Sequence, residues 1–411
     1  MDLLFPACAG LDVHKDLIVA CAVLTPPSGA ATYHEAQFGT TTAELLRLSD
    51  WLGGLGVPQV GMESTGVYWK PIYYILEGSL SVWVLNAQHV KNVPGRKTAV
   101  QDARWVSEWL RHGLVQPRFV PPPPQRELRL LTRERTNFVR QRATLINRVQ
   151  KLLEDANIKL GSVVSDMSGV SARAMLAGLL AGQATPAELA ELARGRLREK
   201  RGALAAALAG RMQPVHRLVL TELLAQMDNL EETIGRLTSE IERRTASQAD
   251  IVAQLDAIPG VGRGVVEGIL AEIGTDMGVW GSDRRLAAWC GVAPGNNESA
   301  GKRRSGKTRP GNKWVRTLLI QAARGAVRTK GSYFAAQYRR LVPRLGDKRA
   351  IVAVAHAIIV AIYHMLERGT KYVELGGDYF VQRAPAATAK RLARQLEKLG
   401  YTVTLAEPSP A

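Results

Sequence analysis

Asp12 in AGLDVHKD, Glu63 in GMESTG and Asp102 in GRKTAVQDARW are three acids in the first quarter of a 411-residue chain. Asp12 and Glu63 stand where apolar strands end, and Asp102 stands where a helix opens. Phosphodiester chemistry with two metal ions needs several carboxylates within reach of one point, because hard cations such as Mg2+ take oxygen ligands and clamp the attacking and leaving oxygens. An alternating strand and helix pattern would bring these three to one edge of a sheet. The expectation is a metal-dependent nuclease core with Asp12, Glu63 and Asp102 as catalytic, Mg2+-holding residues.

A second group lies near residue 300. Ser299, in NNESAGK, is flanked by small residues and followed by Lys302, Arg303 and Arg304. A serine hydroxyl is a poor nucleophile unless nearby groups accept its proton and stabilise the anionic state, as clustered cations do. On spacing alone Ser305 qualifies nearly as well, and a loop serine bonded to backbone is the plain alternative. The same loop, GKRRSGKT at 301 to 308, matches the phosphate-loop pattern GxxxxGK[ST]. That mechanism requires an apolar strand before the loop and a helix directly after it, whereas APGNNESA precedes and Pro310 and Gly311 follow. The reading is a flexible loop gripping nucleic-acid phosphates, not an ATP site.

Charge supports that partner class. Lys+Arg 54 against Asp+Glu 37 leaves a net +17, with a pI near 10.0, and neutralising phosphates releases condensed counterions. Residues 301 to 350 hold fifteen Lys or Arg and one acid, Asp347. A solvated face usually mixes signs, so the stretch reads as a nucleic-acid surface, with Lys302, Arg303, Arg304, Lys307, Arg309, Lys313 and Arg316 as contacts. Trp314, Tyr333, Phe334 and Tyr338 are interleaved and could stack on bases, although burial is the commoner fate. Three cysteines, Cys8, Cys21 and Cys290, are too few and scattered for a disulfide framework or a zinc site. A reducing compartment follows, and the expected localisation is cytoplasmic. No apolar run approaches the ~20 residues of a membrane span. AIVAVAHAIIVAIYHML, interrupted by His356 and His364, reads as a buried helix.

The elements that must position these groups are legible from periodicity. PACAGLDV and LIVACAVL are strands joined by a polar turn, and AATYHEAQF is a third. TTAELLRLSDWLGGL is a Thr-capped helix, PQVGMES a strand, GVYWKPIYYILEG a helix, SVWVLN a strand and AVQDARWVSEWLRHG a helix. Strands in a meander followed by alternation with helices predict an α/β domain of the ribonuclease H kind over 1–120. Pro121 to Pro124 read as a semi-rigid connector that no helix continues through. Residues 121–250 then form a helical, coiled-coil-like arm. Its first seam runs through Leu128, Leu131, Phe138, Leu145, Val149 and Leu152. Arg135 and Arg142 occupy two positions of that seam and are candidates for a phosphate backbone. A cleaner seam runs from Leu220 to Ile241. Over 251–383 the chain is mostly helical. LDAIPGVGRGVVEGILAEIG resembles a helix-hairpin-helix whose first backbone N–H groups can face a phosphate, with Gly260 and Gly262 permitting close approach and Arg263 in the loop. Residues 384–411 form a peripheral tail.

These blocks together resemble a known family. GLDVHKD, MESTGVYWKPIYYILE, the N-x-x-x-V-K-N-x-P-G-R-K-T stretch, DARW, IPGVG and LAAWCGVAPGNNESAGKRRSGKTRPGNKWVRTLLIQAA are similar, in the same order, to the DEDD insertion-sequence transposases. These are bacterial mobile-element recombinases directed by a bridge RNA. The resemblance implies a RuvC-like N-terminal domain, a coiled-coil arm and a C-terminal transposase domain carrying a catalytic serine. It places the family's first Asp on Asp12, its Glu on Glu63, the second acid of a D-x-x-D pair on Asp102 and its serine on Ser299. It further implies serine attack on DNA with a covalent linkage, Mg2+ held by the acids, a structured guide RNA, donor and target DNA, and a homo-oligomer in which two protomers complete each active site. Such a protein is expected at the nucleoid. One departure stands out: Ala99 occupies the place of the first acid of the D-x-x-D pair. Positions i and i+3 share a helix face, so Ala99 takes a carboxylate from the metal site and implies an impaired copy. A RuvC-like nuclease or junction resolvase using water, and a nucleic-acid-binding protein without catalysis, are the competing readings.

Overall fold

In a computed structural model, described over residues 3–27, 29–64, 66–85, 99–295, 297–299 and 301–405, the chain forms two compact units, Met1–Pro121 and Pro122–Ala411.

The first unit is built on β1 (Ala7–Val13), β2 (Ile18–Leu24), β3 (Thr32–Phe38), β4 (Gln59–Glu63) and β5 (Ser81–Leu85). They pair in the order β3-β2-β1-β4-β5. The first three make an antiparallel meander, and β4 and β5 run parallel to β1. Side chains alternate between the faces of a strand, so the central strand β1 serves two layers. Ala9, Leu11 and Val13 join Val60, Met62 and Val84 beneath α1 (Thr42–Gly54) and α2 (Trp69–Leu76), where Leu45, Leu48, Leu52, Ile72 and Leu76 are fully buried. Cys8, Gly10 and Asp12 face the other way, toward α3 (Ala99–Arg111). Burial on both faces is why β1 and β2 read as near-continuous apolar runs.

Helix α3 lies unusually close to this second face. A Cβ on Gly10 would come within 2.1 Å of the Ala103 carbonyl oxygen and 2.5 Å of the Ser107 nitrogen, and one on Gly61 within 3.1 Å of Leu110. The contact is held from both sides. Cys8 Sγ donates to the Ser107 carbonyl at 3.5 Å, Tyr33 Oη donates to Glu108 at 2.7 Å, and the Arg104 guanidinium lies 3.9 Å from the centre of the Tyr33 ring.

The second unit begins with α4 (Pro123–Asp155), so the last two prolines of the run stand in the first helical turn and are not connector. Amide groups of the first turn have no intrahelical acceptor, and proline loses nothing there. Helix α4 packs against α9 (Pro214–Arg244). The two run antiparallel, as the pairs Glu127–Arg244, Arg142–Glu231 and Asp155–His216 require. Around their far ends, α5 (Leu160–Val163), α6 (Val170–Ala181), α7 (Pro186–Glu191) and α8 (Arg201–Leu208) close a core with Leu145, Val149, Leu153, Leu220, Leu223 and Met227.

The chain continues through α10 (Ala249–Asp256), α11 (Arg263–Ile273), α12 (Asp283–Trp289), a two-stranded ribbon of β6 (Asn297–Ser299) and β7 (Lys302–Ser305), α13 (Lys313–Ala326), α14 (Tyr333–Leu345), α15 (Asp347–Arg368), α16 (Tyr379–Gln382) and α17 (Pro385–Lys398). Helix α15 is long and apolar enough to cross a membrane by length and composition. Here Ala350, Ile351, Val354, Ile358, Ile359 and Ile362 are buried, and the helix packs against α12, α13 and α14.

The Gly10 contact yields a prediction. Gly10→Ala forces a side chain into helix backbone and should destabilise the first unit by roughly 1–3 kcal/mol or more. Gly53→Ala, in α1 with nothing within 4 Å, should be neutral or slightly stabilising. Thermal unfolding of the full chain checks both; equal melting temperatures for the two variants would contradict the close approach.

Candidate active site

Asp12 and Glu63 lie at the same edge of the sheet. The last paired residues of β1 and β4 are Leu11 and Met62, so the next positions, Asp12 and Glu63, stand side by side. Two residues earlier, Gly10 and Gly61 both face α3; by alternation Asp12 and Glu63 share that face. Asp102 reaches the same region from above, in the first turn of α3, where a negative charge is favoured by the helix dipole. One of its oxygens, Oδ1, is buried without a hydrogen-bond partner.

The electrostatics record the crowding. The Asp12 side chain is only 13% exposed, and its Oδ2 lies 2.9 Å from His14 Nε2. Burial pushes its carboxyl above the ordinary value, the His14 contact pulls it back, and the Asp102 charge pushes it up again. Glu63 is half-buried, beside a strand end where Arg118 Nη1 donates to Ser64 Oγ at 2.8 Å. The donor set is carboxylate oxygen only, with one buried oxygen unpartnered, which suits a hard divalent cation. Among the described residues no three His, Cys, Asp or Glu side chains stand together as a finished ligand set. Ala99 opens α3 and packs against Val19, Cys21 and Ala103. Two nearby thiols take no part: burial pushes Cys8 up to about 12 and Cys21 upward as well.

In the second unit, Ser299 is the last residue of β6 and pairs with Lys302 of β7, next to Gly301 at φ +72°. The expected flexible loop is a ribbon with a closed stem. A Cβ on Gly295 would meet the Lys307 carbonyl oxygen at 2.1 Å, and one on Gly311 would meet the Gly291 nitrogen at 2.4 Å. At the foot, Asn312 N–H donates to the Trp289 carbonyl at 2.9 Å. The backbone geometry also excludes a phosphate loop, since 302–305 is strand and the next helix starts at Lys313. Lys302, Lys307, Arg309 and Lys313 are exposed along this segment and Arg316 is half-buried; Arg303 and Arg304 lie within β7.

Two known families of sequence match this chain. A family model described as "Transposase", of the DEDD IS110 type, matches residues 9–158, and one described as "Transposase IS116/IS110/IS902 family" matches residues 252–339. Together they span more than half of the chain. The chain belongs to the IS110 family of insertion-sequence transposases. It is similar to the transposase for insertion sequence element IS1111A of Coxiella burnetii, at 26% identity over 88% of this chain and 90% of that one. It is also similar to the 44.8 kDa protein of insertion element IS116 of Streptomyces clavuligerus, at 27% identity over 70% and 78%.

Several cations and glycines expected to meet nucleic acid have other work in this transposase. Arg135 is 12% exposed, and its guanidinium donates to Glu267 Oε2 at 2.7 Å and to the Gly264 carbonyl at 3.1 Å. Arg263 donates to the other oxygen of Glu267 at 3.0 Å and also faces Glu242. Glu267 is 1% exposed, and a buried carboxylate demands such partners. Gly260, at φ +79°, abuts helix α13, where a Cβ would come within 2.2 Å of the Ala326 nitrogen. Its close approach is to protein backbone. Gly262 caps α11 with no side-chain bond, and Arg142 faces Glu231 at 3.8 Å while one-third exposed. Of the interleaved aromatics, Phe334 is buried, Tyr333 stacks on Phe380, Tyr338 donates to Asp347, and Trp314 lies among Arg133, Arg140 and Lys313. The N-x-x-x-V-K-N-x-P-G-R-K-T stretch, 86 to 98, lies outside the described residues.

His14 and the buried acids Glu267 and Glu272 escaped the sequence reading. Strand alternation from Gly10 through Asp12 is the signal that would have found His14. Nothing local marks the glutamates' partners on α4, Arg133 and Arg135, which lie more than 130 residues away.

Because burial and Asp102 both oppose ionisation of Asp12, the ionised group costs stability: its favourable contribution is present below the unfolded-state value and lost as pH rises through the folded one. Asp12→Asn keeps a polar partner for His14 and should raise stability at pH 7 by roughly 0.5–2 kcal/mol. The gain should vanish below about pH 4. Melting curves across pH decide this; a variant less stable than the parent at pH 7 would contradict it.

Proposed function

We propose that this transposase is an RNA-guided DNA recombinase that cuts and rejoins DNA through Ser299, with Mg2+ held by Asp12, Glu63 and Asp102. The observation that carries the reading is the buried, unpartnered Oδ1 of Asp102, a carboxylate whose charge is felt by the half-buried Asp12 at the sheet edge. A bound Mg2+ would neutralise charge on a phosphodiester and polarise it for attack. The sheet order, with an antiparallel meander followed by two parallel strands, supports an RNase H-like, RuvC-like reading of the first unit. In the second unit the ribbon presents the Ser299 backbone on a stiff stem among exposed lysines, which would stabilise developing negative charge. The exposed cations of 302–313 are the surface for donor and target DNA and for a structured guide RNA. A homo-oligomer, from dimer to tetramer, is the assembly this chemistry calls for, working at the nucleoid in the cytoplasm.

Ala99 favours a second reading. Its methyl group packs in an apolar patch where a further carboxylate would extend the site, so nucleic-acid binding outlives catalysis in this copy. The two readings part experimentally. Protein purified with its RNA and mixed with two DNA sites in Mg2+ should give a protein–DNA adduct on a denaturing gel, and Ser299→Ala should abolish it. An adduct persisting in that variant would remove Ser299 from the mechanism, and free DNA ends without adduct would indicate hydrolysis by water. Ala99→Asp should raise strand cleavage by roughly tenfold or more, as removal or restoration of a charged group at a reacting centre typically does. An unchanged rate would show that position 99 holds no ligand, and absence of all cleavage would favour the binding-only reading.

A further inference from the structure

The second unit has a buried carboxylate at the point where three of its parts meet. Glu272, in α11, is 1% exposed. From α4, Arg133 approaches it as a fork, Nε at 2.6 Å from Oε1 and Nη2 at 3.0 Å from Oε2, and Arg129 adds Nε at 3.2 Å and a bond to the Glu272 carbonyl at 2.6 Å. Asn312 Nδ2 donates to the same Oε2 at 2.6 Å. Cys290, just past the end of α12, also feels its charge, and burial holds that thiol well above its ordinary value.

Asn312 is the foot of the ribbon. Its Oδ1 accepts from the Trp314 and Val315 amides and so caps α13. Its own N–H closes the stem on Trp289, and the neighbouring Gly311 is pressed against Gly291. The side-chain amide therefore has no freedom to flip: the cap needs the oxygen on one side, and the carboxylate needs the N–H2 on the other. Each end of this chain of bonds is buried or part of a helix, and charge-assisted bonds of this kind hold geometry tightly.

We infer that Glu272 and Asn312 form a positioning joint that ties the orientation of the ribbon carrying Ser299 to helix α4. The inference rests on the Ser299 reading for its catalytic consequence, and on the contacts alone for its mechanical one. A nucleic acid that sets the pose of α4 through its exposed basic side chains thereby sets the ribbon, with neither Glu272 nor Asn312 touching DNA.

Asn312→Asp separates this from simple folding. Asp caps a helix as well as Asn, yet here it would oppose a second carboxylate at 2.6 Å. Asn312→Ser also caps, without the like charge. In the full chain, amide hydrogen exchange at 302–305 should rise by roughly tenfold in Asn312→Asp, with α15 unchanged. The rise should be smaller in Asn312→Ser. In Asn312→Asp, adduct formation with RNA and DNA bound should slow by roughly tenfold at unchanged DNA affinity. Unaltered exchange at 302–305, or altered exchange with an unaltered adduct rate, overturns the joint. Failure of the parent to form an adduct, or an adduct surviving Ser299→Ala, instead overturns the serine reading and leaves the exchange result to judge the joint by itself.

Discussion

The carboxylate edge of the first unit depends on a backbone contact that only glycine allows. With no Cβ on Gly10, α3 settles onto β1 until peptide groups nearly touch, and the helix start comes down over the strand ends. Asp12 lies two residues beyond Gly10 and Asp102 one residue before Ala103, so the spacing of the acids follows from the contact. Crowded carboxylates cost folding free energy, and the apolar layer on the opposite face of the sheet, from Leu45 to Leu76, offsets that cost. As structure alone, the ionised Asp12 is unfavourable.

A different device organises the second unit. Glu267 and Glu272 are the charges within the buried run from Val266 to Ile273 of α11, and interior carboxylates persist only when fully paired. Arg129, Arg133 and Arg135 of α4 meet that demand. Helix α4 is in this way keyed to α11 by geometry more specific than apolar packing, because a guanidinium fork accepts a carboxylate in few orientations. Gly260 against α13 adds a second such key, between backbones. The region from α4 to the ribbon is consequently joined by directional contacts at each step.

Most elements of the first unit were legible. The short apolar runs ACAGLDV and IVACAVL, the Thr41 cap and the apolar spacing of AVQDARWVSEWLR correspond to β1, β2, α1 and α3 as they stand. The three acids were found for the same reason, since strand ends and helix starts are where local pattern changes. Less was legible around residue 300. A glycine-rich, basic stretch reads as a flexible loop because composition reports solvation and charge. It does not report that Gly291 faces Gly311 or that Gly295 faces Lys307, and those pairings stiffen the ribbon. Arg135 shows the same limit: an arginine in an apolar seam signals an unusual partner, without saying whether that partner is a phosphate or a glutamate.

Residue order alone determined the class of protein, the succession of strands and helices, the basic balance and the identity of the candidate chemical groups, because periodicity, charge and motif are local properties of the chain. Tertiary structure decided which of those groups are available. It crowded Asp12 against Asp102, left one oxygen of Asp102 without a partner, and committed Arg135 to a buried acid far away in sequence, with Arg263 of the acid's own helix on its other oxygen. The division has a physical origin: whether a charge faces solvent, a ligand or another charge depends on what folding brings next to it, and no local pattern carries that information.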